Sequence, residues 1–310
     1  TMTDTRLTRR GLIASAAALP IAAAGARMAN AAAPMLGVGA SRFNRVTLGG
    51  FEVTTILAGT RTVPDPQTIF GMNVGPDEFA SASDAAHIPT DAAQFFFTPT
   101  IVNTGSELVL FDTGLSADAT TAALAEAGYT PDQIDVVVIT HMHGDHIGGL
   151  MTGETATFSN ARYVTGAVEY DAWSSMDNNG FETKVKPLHE QMSMISDGDS
   201  VAPGITGMEA FGHTPGHMTY MIKSDGEQLL VAADFANHYV WSLGYPDWEV
   251  KFDMDKAAAA TTRRRILDML ASDGIPFIGY HMPWPGLGYV EANGDGFRYV
   301  PASYQLMMER

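Results

Sequence analysis

Four side chains able to bind a metal ion crowd into six residues of the stretch ITHMHGDHIGG: His141, His143, Asp145 and His146. The 310-residue chain has nine histidines, and three of them stand here. Imidazole and carboxylate groups are costly to bury without partners, so something must compensate for bringing them together. A cation would do so. His141 and His143 are two residues apart, which at a strand end puts both rings on one side, within reach of one ion. Asp145 and His146 follow where the chain turns toward a helix, and they point to a second position nearby. Nitrogen and oxygen ligands without thiolate suit Zn²⁺, and also Mn²⁺, Fe²⁺ or Co²⁺.

Three further stretches complete a ligand set. FGHTPGHMTY offers His213 and His217 on a Gly/Pro-shaped turn between two strands, LLVAAD ends a buried strand with Asp234, and FIGYHMPWPG ends another with His281. Asp234 is a carboxylate suited to bridge two ions. A lone Asp or His at a strand end is most often a turn or capping residue. Together these residues stand at several strand ends along one sheet edge, where active sites of layered α/β folds lie.

The surrounding pattern supplies those strands. RVTLGGFEVTTILAG alternates around a Gly-Gly turn and reads as a hairpin. Residues 62–97 contain Pro64, Pro66, Pro76 and Pro89 and read as irregular, either a lid or interface segment or an ordered loop packing its own aromatics. QIDVVVIT is a continuous apolar run, as in a strand buried on both faces. SADATTAALAEAG, with Ser116 as N-cap, reads as a helix, as do AVEYDAWSSM and KPLHEQMSMI. GITGMEAFG, TYMIKS, QLLVAAD and PFIGYH read as strands, with a Gly/Pro-rich tail after the last. The clearest helix is DMDKAAAATTRRRILDMLASDG, with Ile266, Met269 and Leu270 on one face and Gly274 closing it.

With those motifs in place, the chain resembles the metallo-β-lactamase superfamily. The family's H-x-H-x-D-H signature matches His141, His143, Asp145 and His146, and FDTG, HTPGH, Asp234 and HMPWPG follow in the family's order. IVNTGSELVLFDTG and HMPWPGLGYV are most similar to the methyl parathion hydrolase and lactonase branch. The resemblance runs from about Phe43 onward and implies a four-layer αββα sandwich of α/β class. It implies two divalent ions, with His141, His143 and His217 on one, Asp145, His146 and His281 on the other, and Asp234 between. Asp112 of FDTG falls where the family has a supporting residue, and His213 falls at a turn position without a ligand role. Trp173 and then Phe97 are the expected substrate-pocket residues. The resemblance also implies a homodimer.

The chemistry expected is hydrolysis: a hydroxide shared by two ions attacks a neutral ester, with Asp145 moving a proton to the leaving group. No Arg or Lys adjoins the ligand motifs and aromatics are frequent in the connections, so the expected substrate is a lactone, an aryl ester or an organophosphate triester. ANHYVWSLGYPDW departs from the methyl parathion hydrolase wording, which favours lactones or aryl esters over organophosphates. Glyoxalase II-like thioester hydrolysis and β-lactam hydrolysis are the alternatives on the same scaffold. Glutathione would need a helical region that is not expected after His281, and the chain has no Cys for a cysteine-ligand β-lactamase. A degenerate, non-catalytic binding module is the alternative of another class, and the filled ligand positions argue against it.

Bulk composition bounds the partners. At 45% hydrophobic residues the chain can bury a large core, and its net charge of −17 speaks against nucleic acid or an anionic membrane. Residues 1–31 are expected to be a cleaved twin-arginine-type export signal, with Arg9 and Arg10 ahead of an Ala-rich run and ANA ending at Ala31. That run is too short and too rich in Ala and Gly for a membrane anchor. Residues 32–310 would then form one hydrolase domain in the periplasm or outside the cell, without disulfides.

Overall fold

The run Val136–Ile139 is buried along its whole length, and the alternation of its side chains sets the layers of the molecule. Val136 and Val138 pack into one apolar cluster and Val137 and Ile139 into another, as a side-chain period of two requires. The computed structural model describes Gly39 and residues 41–307. The export signal expected over residues 1–31 lies outside the described residues.

In chain order the first half runs β1 (Phe43–Leu48), β2 (Phe51–Ile56), β3 (Gly59–Pro64), α1 (Pro76–Ala85), β4 (Ala92–Phe97), β5 (Thr100–Asn103) and β6 (Leu108–Phe111). It continues with α2 (Ala117–Glu126), β7 (Val136–Ile139), the one-turn α3 (Gly144–Ile147), β8 (Met151–Thr152), β9 (Thr155–Ala156), β10 (Arg162–Gly166), α4 (Ala167–Ser174) and β11 (Met192–Ile195). The second half comprises β12 (Ser200–Ala202), β13 (Ile205–Glu209), β14 (Met218–Ser224), β15 (Glu227–Ala233), α5 (Lys256–Asp273), β16 (Phe277–Gly279), β17 (Leu287–Asn293) and β18 (Gly296–Pro301).

Two seven-stranded sheets result, ordered β1-β2-β5-β6-β7-β10-β11 and β12-β13-β14-β15-β16-β17-β18. Between them Val109, Val136 and Val138 meet Tyr220, Ile222 and Val231. On the outer face of the first sheet Leu110, Val137 and Tyr163 pack against Leu124 of α2 and Trp173 of α4. On the outer face of the second, Leu230, Ala232 and Phe277 pack against Ile266, Leu267 and Leu270 of α5. The architecture is therefore the expected four-layer αββα sandwich. The helices that close it are capped by local chemistry. Ser116 Oγ accepts from Ala119 N ahead of α2, Asp255 Oδ1 accepts from Ala258 N ahead of α5, and Gly274 ends α5 in the left-handed region at φ 65°.

Three segments differ from the sequence expectation. Residues 62–97 are not irregular. They hold the two-stranded β3–β4 ribbon, in which Gly59 pairs with Phe97, and α1, whose first residue is Pro76. Proline is tolerated there because the first helical N–H needs no intrahelical acceptor. Phe70, Phe79, Phe95 and Phe97 of this segment join Trp241 and Trp248 in a fourth apolar cluster, so the segment does pack its own aromatics. Within KPLHEQMSMI, a short 3-10 turn with Pro187 near its start gives way to β11 instead of forming an α-helix. The tail beyond PFIGYH is a paired hairpin, β17–β18, with Asn293 opposite Gly296.

Candidate metal centre

The C-terminal ends of β6, β7, β15 and β16 open onto one edge of the sandwich, joined by the turn between β13 and β14. β6–β7 and β15–β16 are parallel pairs, so each pair delivers its following loops to the same edge. His141, His143, Asp145 and His146 follow β7, His213 sits on the β13–β14 turn, Asp234 follows β15 and His281 follows β16. The close approach of the turn to α5 needs a glycine: Gly212 has φ 124°, and a Cβ there would stand 2.2 Å from Ala259 N.

Three groups of donor atoms converge, the atoms of each within 4.8 Å of one another: His141, His143 and His213; His141, His146 and Asp234; Asp145, His146 and His281. His143 Nδ1 is 3.2 Å from His141 Nε2 and 3.0 Å from His213 Nε2. Asp234 connects the groups. Its Oδ2 lies 3.1 Å from His281 Nε2 and 3.5 Å from His213 Nε2, and its Oδ1 lies 3.5 Å from His146 Nε2. Asp145 Oδ2 is 3.4 Å from His281 Nε2 and 3.7 Å from His146 Nε2.

Four of the five rings are oriented from behind. His146 Nδ1 donates to Asp112 Oδ2 (2.8 Å), His213 Nδ1 to Asp253 Oδ1 (2.9 Å) and His281 Nδ1 to the Phe96 carbonyl (2.8 Å). Thr140 Oγ1 donates to Asp112 Oδ2, which leaves it as the acceptor for His141 Nδ1 at 3.1 Å. Such partners fix the tautomer and turn the free nitrogen lone pair toward the centre. Asp112 reaches His146 and Thr140 from a left-handed backbone at φ 61°. Asp253 is held in turn by the buried guanidinium of Arg263 on α5 (2.7 Å).

The electrostatics match a cation site. Burial keeps His143 largely unprotonated, with a pKa of about 3, and lowers His141 well below the usual imidazole value. On the carboxylate side the balance is reversed. Burial opposes the charge on His146 and His281, yet Asp234 and Asp145 hold both above their usual value, His281 at about 10. The same rings outweigh burial and pull Asp145 down to about 2. His146 Nε2 and Asp234 Oδ1 are buried without a hydrogen-bond partner. Buried polar atoms of this kind are otherwise expensive, and a divalent cation taking the place of the imidazole proton would satisfy both. The donor set therefore fits two such ions, with no thiolate and one carboxylate between the groups.

The structure brings both histidines of the β13–β14 turn to the centre, the His217 ring 5.0 Å from that of His141 between centroids. His213, read as a turn residue, stands with His141 and His143. His217, read as a ligand, joins none of the three groups; its Nε2 accepts from Asp234 N at 3.0 Å. The two lie four residues apart on one turn, and Asp253, remote in sequence, holds the His213 ring at the centre. Trp173 differs from expectation. It is buried behind His143, with ring centroids 5.9 Å apart, and does not line the cavity over the centre. Phe97 does line that cavity of about 350 Å³, together with Phe95, Phe252, Val63 and Arg61. Arg61 is a cation that sequence adjacency did not reveal, because β3 is far from every ligand motif.

Glu169 of α4, also missed, ties the two ligand loops together. Its Oε1 accepts from Met142 N (2.8 Å), between His141 and His143, and from Trp173 Nε1 (2.7 Å). Its Oε2 accepts from Thr214 Oγ1 (2.7 Å) and Gly216 N (2.9 Å), beside His213. Burial pushes its carboxyl up against the pull of these bonds. A Glu169→Gln variant would turn an N–H toward two of these donors. It is expected to bind metal about tenfold more weakly, within the range for outer-shell changes, as measured by chelator competition. Unchanged affinity would show that the loops hold their places without the carboxylate.

Comparison with known proteins agrees with this geometry. A family profile described as the metallo-beta-lactamase superfamily matches residues 98–274. An N-acyl homoserine lactonase of Bacillus cereus is 28% identical over 115 residues, 37% of this chain and 43% of that protein. The exodeoxyribonuclease WalJ of Streptococcus pneumoniae serotype 2 is 28% identical over 111 residues, 36% of this chain and 39% of that protein. The chain thus spans less than half the length of the curated relatives it matches. Among solved structures, AidC, a dizinc quorum-quenching lactonase in complex with a product, superposes with a TM-score of 0.78 at 23% identity, covering 84% of this chain and 97% of AidC. The hydrolase AbOPH superposes with a TM-score of 0.79 at 22% identity, covering 86% and 99%. At those identities the likeness speaks for the fold. By the extent of the profile match, the chain belongs to the metallo-beta-lactamase superfamily.

Proposed function

We propose that this chain is a hydrolase that uses two divalent ions, zinc by preference, to open a lactone or cleave a neutral aryl ester. The observation that carries the reading is the pair of oriented donor groups joined by Asp234 at the floor of a cavity walled by Phe95, Phe97, Phe252 and Val63. Ions bound there supply Lewis acidity, lowering the pKa of water and polarising the oxygen of the bond under attack. The chain's own groups do the rest. The aromatic wall receives an apolar acyl or aryl group and excludes water. Arg61, exposed at the same wall, favours a substrate that also carries a hydrogen-bond acceptor. The net charge of −17 and this apolar lining favour a small ester over a nucleic-acid strand, the substrate class in the name of one relative. The lactonase names among the relatives favour the lactone, and organophosphate triesters are the secondary substrates of the same reading.

Asp145 is the proton-transfer group in this reading. Its carboxylate lines the cavity beside His281, and its own carbonyl accepts from Tyr280 Oη at 2.6 Å, which fixes the backbone that carries it. Asp145→Asn is expected to keep metal binding and lower turnover about a hundredfold, the low end for general acid–base catalysis. Retention of both ions with full turnover at every pH would remove the role.

The reading as a whole is tested by a metal-to-protein ratio taken with a hydrolysis panel: dihydrocoumarin, an acyl-homoserine lactone, p-nitrophenyl acetate, paraoxon, S-lactoylglutathione and nitrocefin. Two ions per chain with lactone or aryl-ester turnover is the expected result. Turnover confined to S-lactoylglutathione or nitrocefin would move the assignment to the thioesterase or β-lactamase alternative. Fewer than one ion per chain, with no activity on re-addition, would point to a binding module.

A further inference from the structure

The β3–β4 ribbon has two lined faces. Arg61 pairs with Phe95 and Thr62 with Gln94, so successive pairs point to opposite sides. The side carrying Arg61, Val63, Phe95 and Phe97 forms the wall over the metal centre. The side carrying Thr62, Gln94 and Phe96 bounds a different cavity of about 410 Å³, with Ile88, His238 and Trp241. His281 is the one residue that lines both.

His238 is the built feature of this second cavity. It is only 9% exposed and stacks on Trp241, with ring centroids 4.0 Å apart. Its Nδ1 accepts from both Val240 N and Trp241 N at 3.2 Å, which puts the ring proton on Nε2. Burial holds this imidazole neutral, with a pKa of about 3. Among the described residues Nε2 has no hydrogen-bond or ion-pair partner. The ring is nine-tenths buried, so its Nε2–H donor opens only onto a cavity of mostly apolar walls, and among the described residues no Asp, Glu, Lys or Arg lines that cavity.

We propose that this cavity is a second binding site, for an uncharged molecule with an apolar body and one carbonyl oxygen that accepts from His238 Nε2–H. The volume lies in the range of small-molecule sites, which combine apolar walls with a few placed polar groups. A neutral acceptor satisfies the Nε2–H donor, whereas a carboxylate would enter a mostly apolar wall that offers it no Lys or Arg. The site needs neither bound ions nor turnover, so it stands or falls separately from the hydrolase reading. Because His281 Nδ1 donates to the carbonyl of Phe96, an occupant would also touch the strand that orients a ring of the centre.

The probe is N-methylhexanamide, titrated into the full-length, metal-loaded protein while NMR follows the indole N–H signals, assigned by single Trp→Phe changes. The Trp241 signal is expected to shift saturably and the Trp173 signal to stay in place. Hexanoate is expected to bind at least about tenfold more weakly, and His238→Phe to weaken the amide by roughly tenfold, the scale of one hydrogen bond. Thr62→Trp fills the cavity from the exposed face of the ribbon and leaves His238 itself unchanged, and it is expected to block binding even if the His238 variant does not fold. The proposal is overturned if the Trp241 signal shows no saturable shift, or if Trp173 moves in its place. It is equally overturned if hexanoate binds as well as the amide, or if Thr62→Trp binds the amide as tightly as the parent.

Discussion

Replacing Asp234 with Ala is expected to lower turnover of the best lactone or ester substrate by about a thousandfold and to leave fewer than two divalent ions per chain. Asp234 is the side chain that joins the donor groups, with one oxygen 3.5 Å from His146 Nε2 and the other 3.1 Å from His281 Nε2 and 3.5 Å from His213 Nε2. Its position is determined from three sides. Asn237 Nδ2 donates to Oδ2 at 2.9 Å, His217 accepts from its backbone N–H, and Ala233 before it adopts a left-handed backbone at φ 48°. His146 and His281 hold its carboxyl well below the usual carboxylate range against the effect of burial, so it is an anion at neutral pH. Without it the positive charge gathered at the centre loses its middle neutraliser. Lewis acidity is worth several kcal/mol, and each factor of ten in rate is about 1.4 kcal/mol, which gives the thousandfold figure. Elemental analysis and kcat/KM measure the two effects, with circular dichroism to confirm folding. Asp234→Asn keeps the shape and removes the charge. If the Asn variant holds two ions and full activity, the carboxylate does not join the groups as argued.

What the chain order made legible follows from how local each signal is. Val136–Ile139 and Leu229–Ala233 are unbroken apolar runs and α5 buries one face at the helical period, so the layers could be read without any contact information. His141, His143, Asp145 and His146 are neighbours in sequence, and their convergence needs only a strand end and one turn. Asp234 and His281 share the strand-end signature. The β3–β4 ribbon was hidden because Gly59–Pro64 mixes Thr, Arg and Val with Pro and pairs across a gap holding α1. Arg61 and Phe95 face the centre only by virtue of that pairing. The β17–β18 hairpin did carry a local signal, the Asn-Gly at 293–294 with Gly294 at φ 62°, but surrounding glycines made it look like a tail. Trp173 carried no local sign of its role. It points inward because its indole N–H must find an acceptor when buried, and Glu169 lies one helical turn earlier. Asp253 and Glu169 were invisible for the same reason: each acts on a ring or a loop far away in sequence.

The His213 and His217 pair gives the sharpest separation of local from tertiary information, and the two substitutions are expected to differ in kind. His213→Ala should lose one of the two ions and lower turnover by about a thousandfold, as expected when several kcal/mol of Lewis acidity go. His213 Nε2 lies 3.0 Å from His143 Nδ1, and its Nδ1–H is committed to Asp253 Oδ1, so the free lone pair faces the centre. Asp253 is anchored by Arg263, whose Nε and Nη1 also donate to the carbonyls of Phe235 and Pro246. That guanidinium is buried, so the orientation of His213 is tied to the packing of α5. His217→Ala should instead keep two ions per chain and weaken their binding by about 10–100-fold, the effect of an outer support. Its Nε2 is occupied by the Asp234 N–H, and its remaining nitrogen, Nδ1, is buried without a partner and belongs to none of the donor groups. Equilibrium dialysis against a zinc buffer, run in parallel on both variants, reads stoichiometry and affinity together. Should His217→Ala be the variant that falls to one ion while His213→Ala retains two, the turn must present its second histidine to the metal, and the Asp253–His213 bond would be a packing feature of α5 with no bearing on the centre.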